Sequence, residues 1–323
     1  MIPVLFSVLS SVFGVLFVCR NAQTLRLVDI PEQRSSHVEP TPKGGGLGIV
    51  LAFCLMPLWS ELPILVWLSA LGIAITGFFA DCCDFSPRRR LVVFFLCAGM
   101  FSLSQGNLAT PVAVLLVPAS LIFIVGTANF YNFMDGINGM AAITGIVSFA
   151  LLGFYGVFVD KSAALVMVCF VLSAACLGFL PFNVPQARIF MGDVGSVFLG
   201  FLFSGICVVF SENAFEFTVL ASFLLLFYLD ELLTMAQRIH AGMSLLQPHR
   251  MHLYQVLANE ASFPQWTVSL AYGLIQLFCG LTGIWCYLHD RSTSWAVFLV
   301  FVGVVFIGVD LLVKNKFSVK LSV

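Results

Sequence analysis

The sequence predicts an all-α, polytopic integral membrane protein with ten or eleven transmembrane helices and a site on its cytoplasmic face. Three observations lead there. First, 60% of the 323 residues are hydrophobic and only 10% are charged, where a soluble domain carries roughly 25% charged residues. Second, the apolar residues form long runs without the period-two alternation of a membrane barrel. Backbone groups in lipid must pair within their own segment, so such runs are helices. Third, the polar residues suited to chemistry cluster in alternate connections between the runs.

The runs are 2–19, 46–60, 62–80, 91–105, 111–126, 140–159, 162–180, 196–211, 215–230, 266–288 and 294–313. Some fall short of the ~20 residues that a bilayer needs. Residues 2–19 lack a basic stretch before them and a small-residue cleavage site after them, so they read as a first span and not as a removed signal peptide. If the loop after that span is cytoplasmic, thirteen of the fifteen Lys and Arg lie on the cytoplasmic side and only Lys161 and Arg291 lie outside. That is a strong positive-inside bias. The same parity puts Asp81, Asp84, Asp135, Asp193, Asp230 and four of the five His on that face, and leaves the outer loops short and bland. The ten Cys lie mostly within apolar runs and read as small packing residues. Cys82 and Cys83 are adjacent, which is not zinc-ligand spacing, and no disulfide framework is visible. A net charge of −1 offers no footprint for nucleic acid. With no internal repeat, residues 1–323 read as a single membrane domain. Its cytoplasmic loops are 20–45, 80–91, 127–140, 181–196 and 230–265.

The first of these loops contains RSSHVEPTPKGGG, Arg34 to Gly46. Its prolines stiffen it, its glycines allow close backbone approach, and Arg34, His37 and Lys43 suit either an anionic head group or a plain interfacial anchor. In the second, Asp81 stands directly after an apolar run, where an acid needs a partner. Arg88 to Arg90 suit phosphate, or simply mark the membrane boundary. The third, NFYNFMDGING (Asn129 to Gly139), gathers Asn129, Asn132, Asp135 and Asn138 with two glycines. Asn132 and Asp135 are three apart and share a helix face. Their hard oxygens suit Mg²⁺, and four such groups exceed what one helix cap needs. The fourth, PFNVPQARIFMGDVGS, places Asp193 just before a helix, where it could be a bare N-cap. The fifth carries QPHRMHLYQ, with His249 and His252 flanking Arg250. No third zinc ligand is evident, so phosphate binding fits better, against an amphipathic interfacial helix. Asp310 lies in the last span with no evident partner.

These loops, in this order and over most of the chain, resemble the polyprenyl-phosphate N-acetylhexosamine-1-phosphate transferase superfamily, glycosyltransferase family 4. NFYNFMDGING, FMGDVGS and HRMHLYQ look most like its bacterial O-antigen and capsule branch. The resemblance implies that Asp193 matches the magnesium-binding aspartate and Asn132 its co-ligand. Asp135 and Asn138 match positions near nucleotide and metal. His249, Arg250 and His252 match a basic loop that contacts the donor sugar and pyrophosphate. Asp81 matches the second member of an adjacent aspartate pair whose first member is Ala80 here, and Asn138 stands where many bacterial members carry Asp.

The expectation is therefore phosphoglycosyl transfer. A UDP-N-acetylhexosamine enters from the cytosol and meets a polyprenyl phosphate, undecaprenyl phosphate in a bacterial inner membrane, and UMP leaves. Asp81 and Asp135 are the expected catalytic acids, and Asp193 and Asn132 the ligands of Mg²⁺, with Mn²⁺ the alternative. Asn129, Asn138, Arg88, His249, Arg250 and His252 are the expected substrate contacts. A homodimer is common among such proteins. Two other classes stand beside it: a transporter of a lipid-linked or anionic solute, and an inactive scaffold, to which Ala80 lends support. UMP release separates the enzyme from both.

Overall fold

A computed structural model of the chain describes residues 2–31, 39–83, 85–104, 111–244 and 249–317. Its helices are α1 (Ile2–Asn21), α2 (Leu47–Cys54), α3 (Ile64–Cys82), α4 (Pro87–Leu103), α5 (Pro111–Met134), α6 (Met140–Phe158) and α7 (Ala163–Asn183). Then come α8 (Asp193–Phe210), α9 (Ala214–Ala221), α10 (Leu225–His240), α11 (Leu253–Gln255), α12 (Gln265–Leu288) and α13 (Ser292–Lys316). Each of the eleven expected apolar runs is helical. Among the described residues nine helical stretches are long and apolar enough to cross a membrane, α9 and α10 counting as one through a 3₁₀ turn. The two remaining runs are α2, which ends in a 3₁₀ turn at Leu58, and the 17-residue α4. The protein is an all-α, multi-pass membrane protein. Its described strands are a two-residue antiparallel pair, β1 (Val28–Asp29) with β2 (Thr41–Pro42), in the first loop.

The helices are sorted for lipid rather than water. On α1 the large side chains Leu5, Leu9, Phe13 and Leu16 are exposed, while Ser7, Ser10, Ser11 and Gly14 are buried. Lipid rewards no burial of leucine, so small residues face the neighbouring helices and let backbones approach. Gly14 lies directly against the backbone of Gly48 on α2, where a Cβ has no room. All ten Cys are free thiols and six are buried, consistent with packing.

Helix α8 is the axis of the bundle. Nearly all its residues are buried, and it packs against α3 and α5, with α2, α4 and α6 alongside. Gly200 permits the α5 crossing, since a Cβ there would stand 2.9 Å from the Ala128 Cα. The N-terminus of this central helix, Asp193, is thereby fixed relative to α3, α4 and α5.

The other end of the bundle is less bland than the sequence suggests. Glu216 is fully buried. It accepts from Tyr155 Oη at 2.5 Å and from the Glu212 amide at 2.6 Å, and pairs with Lys161 at 3.0 Å. Asn213 caps α9 by accepting from the Glu216 amide at 2.9 Å. This cap, joined to the ion pair, latches the α6–α7 connection to the α8–α9 connection.

Candidate active site

The polar face is built by loops that hydrogen-bond to one another. Phe190 N donates to Pro42 O at 2.8 Å, and Gly45 N and Gly46 N donate to Phe190 O and Met191 O, each at 2.9 Å. The first loop thus runs beside the fourth as a short ladder. Gly46 lies directly against Gly195, which explains why small residues recur in both motifs. Asn183, buried at the end of α7, ties the fourth loop to the third. Its Oδ1 accepts from Gly139 N at 2.6 Å and its Nδ2 donates to Ile189 O at 3.0 Å. Tyr254 ties the fifth loop to the third: its hydroxyl donates to Phe133 O at 2.8 Å and occupies the space that a side chain at Gly136 would need.

At the centre is Asp193, the first residue of α8. Its Oδ2 accepts from Arg90 Nη1 at 2.5 Å, and the Asn132 side chain hydrogen-bonds to it. Asn132 Oδ1 also accepts from Ser196 Oγ at 2.7 Å. Lys43 adds a second cation to the surroundings of Asp193 and Asp81. Asp193 sits where a helix dipole favours an anion. Asp135 does not: it follows the last residue of α5, at the negative end of a dipole. Burial, then the Asp193 and Asp81 carboxylates, push Asp135 well above the ordinary carboxylate range. An acid so placed caps no helix.

Asp81, expected as a catalytic acid, faces inward. It is buried at the end of α3, and its two oxygens accept from the backbone amides of Asp193 (3.1 Å) and Val194 (3.0 Å). It is the N-cap of α8 supplied from another helix, since the α8 cap position itself is Gly192, which has no side chain. Gly192 has φ +77°, and a Cβ there would stand 2.6 Å from Asp81 Oδ2. The role the geometry assigns to Asp81 is to hold Asp193 in place.

Other expected contacts are also redistributed. Arg88 is exposed on the first turn of α4, and Arg90 is the arginine that reaches Asp193. Asn129 is folded back onto its own helix, donating to Val125 O at 2.8 Å. Asn138 donates through Nδ2 to Pro185 O at 3.3 Å, while its backbone amide meets Gln265 Oε1 at 3.0 Å, so it anchors the third loop to the fourth and to α12. His252 is buried between Asp230 and Glu231, with a ring nitrogen 3.4 Å from each carboxylate. It supports the fifth loop instead of lining the open face. Burial opposes protonation of His252, but Asp230 and Glu231 overcome it and raise its pKa. His249 is only partly buried, with its ring centroid 4.9 Å from that of His252. Burial and the cations His252, Arg238 and Lys314 push it down to about 4. Arg34 and His37 lie outside the described residues.

Asp230, which the sequence reading only counted, repeats the device of Asp81. It accepts from the amides of Leu253 (2.8 Å) and Tyr254 (3.2 Å) and from Tyr272 Oη (2.8 Å). Asp310 does have a partner: Lys314, one turn on, at 2.7 Å. The i, i+4 spacing was the visible signal for it.

The donors around Asp193 are hard oxygens, two carboxylates and an amide, which suit Mg²⁺ and not zinc. No group of three His, Cys, Asp or Glu among the described residues is arranged to hold an ion by itself. The face thus pairs anionic oxygens with Arg90 and Lys43, a combination suited to phosphate.

The family model described as glycosyl transferase family 4 matches residues 63–211. The chain is 30% identical to the decaprenyl-phosphate N-acetylglucosaminephosphotransferase of Mycobacterium leprae (strain TN), over 84% of this chain and 80% of that protein. For the same-named protein of Mycobacterium tuberculosis (strain ATCC 25618 / H37Rv) the identity is 30%, over 73% and 70%. With the phospho-N-acetylmuramoyl-pentapeptide-transferase of Staphylococcus aureus (strain JH9) it is 26%, over 80% and 89%.

Proposed function

The chain belongs to glycosyl transferase family 4, the superfamily of polyprenyl-phosphate N-acetylhexosamine-1-phosphate transferases, and from that premise we propose that it moves an N-acetylhexosamine-1-phosphate from a UDP-sugar to undecaprenyl phosphate. UMP is released, and the product starts a cell-surface polysaccharide of the O-antigen or capsule type. The reaction runs at the cytoplasmic face of a bacterial inner membrane. The observation that carries this reading is the convergence of four loops on Asp193, with Arg90, Asn132, Asp135 and the Asp81 cap around it.

An oxygen of the acceptor phosphate attacks the β-phosphorus of the donor. The bond from that phosphorus to the oxygen bridging the α- and β-phosphates breaks, and its electron pair leaves with UMP. Such transfers are mostly positioning and charge neutralisation. Asp193 and Asn132 are the residues that would hold Mg²⁺, which when bound would supply positive charge to the diphosphate. Arg90 and Arg250 add fixed charge suited to phosphate oxygens. Asp135, close to Asp193, orients the acceptor head group.

The test is UMP release by purified protein with undecaprenyl phosphate, Mg²⁺ and a panel of UDP-N-acetylhexosamines, beside Asp193→Asn. Release that needs lipid and metal, and is lost in the variant, identifies donor and acceptor. No release with any donor, while a family relative works in the same assay, transfers the reading to an inactive scaffold. The relatives' names point to cell-wall lipids, so the panel includes UDP-N-acetylglucosamine and UDP-N-acetylmuramoyl-pentapeptide.

A further inference from the structure

Helix α13 is nearly bare. Of its residues only Trp295, Phe306, Asp310 and Lys314 are buried. Along its middle it stands off from α12 across an apolar cavity of about 420 Å³, lined by Tyr272, Val302, Phe306 and Val309 among others. At one end Trp295 Nε1 donates to Thr218 Oγ1 at 3.1 Å. At the other, beside the polar face, the contact is polar. Gln237 of α10 donates through Nε2 to Asp310 Oδ2 at 2.6 Å and accepts through Oε1 from Lys314 Nζ at 2.8 Å, closing a three-membered ring with the Asp310–Lys314 pair.

Burying a charged pair in a lipid-facing helix is costly, and leucine would anchor it as well. What the ring adds is a defined position. Gln237 shares a face of α10 with Asp230 and Thr234, at i+7 and i+3 spacing. Asp230 holds the amides of Leu253 and Tyr254, three and four residues after Arg250. Helix α13 also touches α11 and the π turn Val256–Glu260 directly.

We propose that the Asp310–Lys314–Gln237 ring makes α13 a strut that fixes the height of α10, and so positions the His249–Tyr254 loop over the donor's diphosphate. These are positioning residues and touch no substrate. The link to the donor rests on the transferase reading above, whereas the mechanical part does not.

Gln237→Leu removes the bridge while leaving the Asp310–Lys314 pair within α13. Lys314→Gln is the second variant, keeping a donor but no charge. Hydrogen–deuterium exchange is measured on the full chain in lipid nanodiscs. Both variants are expected to speed exchange in 249–260 and leave α8 protected. Where UMP release is measurable, donor KM is expected to rise about tenfold with kcat within about twofold, the usual size of coupling through one such link. Unchanged exchange in 249–260, or loosening spread evenly through the bundle, overturns the strut. Absence of UMP release from the wild-type protein sinks the transferase reading and leaves the exchange result to decide the strut alone.

Discussion

Asp81→Asn separates two roles for one carboxylate. In the structure Asp81 accepts two backbone hydrogen bonds, from Asp193 at 3.1 Å and Val194 at 3.0 Å, in a buried setting. Bonds to a charged acceptor contribute about 1.5–3 kcal/mol each. Asparagine has the same shape, but only one of its two terminal atoms accepts. The other amide of α8 then faces an N–H, so one bond is lost and one buried donor is orphaned, for a combined cost of about 2–4 kcal/mol. The first turn of α8 shifts, and a misplacement near 1 Å at Asp193 costs roughly 10²-fold in turnover. The expected result is a lower unfolding temperature, weaker Mn²⁺ binding by paramagnetic resonance titration, and a pH–rate profile scaled down without change of shape. Unchanged stability and Mn²⁺ affinity, together with loss of one limb of the pH–rate profile, would show that Asp81 is a general base and refute the capping argument.

Arg90→Gln takes away the cation paired with Asp193 at 2.5 Å. Thermal unfolding in EDTA is expected at lower temperature, with Mg²⁺ restoring more of the loss than in the wild type and donor KM rising about tenfold, the scale of one lost charge-assisted contact. Tyr254→Phe removes the hydroxyl that holds the Phe133 carbonyl. It should cost about 1–2 kcal/mol in chemical unfolding and raise donor KM more than it lowers kcat. The fifth loop carries two opposite pH dependences. Because His252 has a raised folded pKa, its stabilisation is complete below its unfolded value of about 6.5 and fades as pH rises through the folded value. For His249, pushed down to about 4, the unfolded chain binds the extra proton, so stability falls between about pH 6.5 and 4. His249→Gln is expected to flatten the acid side of a stability–pH curve, and His252→Gln to lower stability most at the acid end of its window. An unchanged curve in both variants speaks against the assignments.

The spans and the face were legible because they depend on composition and parity, which are summed over many residues. Asp193, Asn132 and Asp135 were legible for another reason: acids and amides cost free energy beside a membrane, and their spacing on one helix end limits what they can do. What sequence could not show is which oxygen is consumed by which amide. Asp81 and Asp193 are more than a hundred residues apart, and nothing local marks Asp81 as the cap of α8. The gap was visible from the other side, since α8 begins after a glycine that can cap nothing. Arg88 and Arg90 are indistinguishable by composition, and only the helical turn from Pro87 decides which one faces Asp193. Asn138 and His252 were expected as substrate contacts because the family resemblance implies it, yet here they hold loops to one another.

Ala80 stands next to that cap. The family resemblance supplies two adjacent acids, and this chain keeps only the second. That second acid is the one whose oxygens are already spent on α8. Its loss would move Asp193, whereas replacement of its neighbour by alanine leaves the cap intact. On the proposed reaction the acceptor phosphate is already largely ionised near neutral pH, so the attack needs no strong base. What it needs is a group that orients an anion beside other anions. Arg90 and Lys43 beside Asp193 suit that role, because fixed cations hold a phosphate oxygen where carboxylates alone would repel it. An intact cap under Asp193, with Arg90 and Lys43 beside it, therefore keeps the chemistry compatible with alanine at position 80. The substitution by itself is not evidence of an inactive protein.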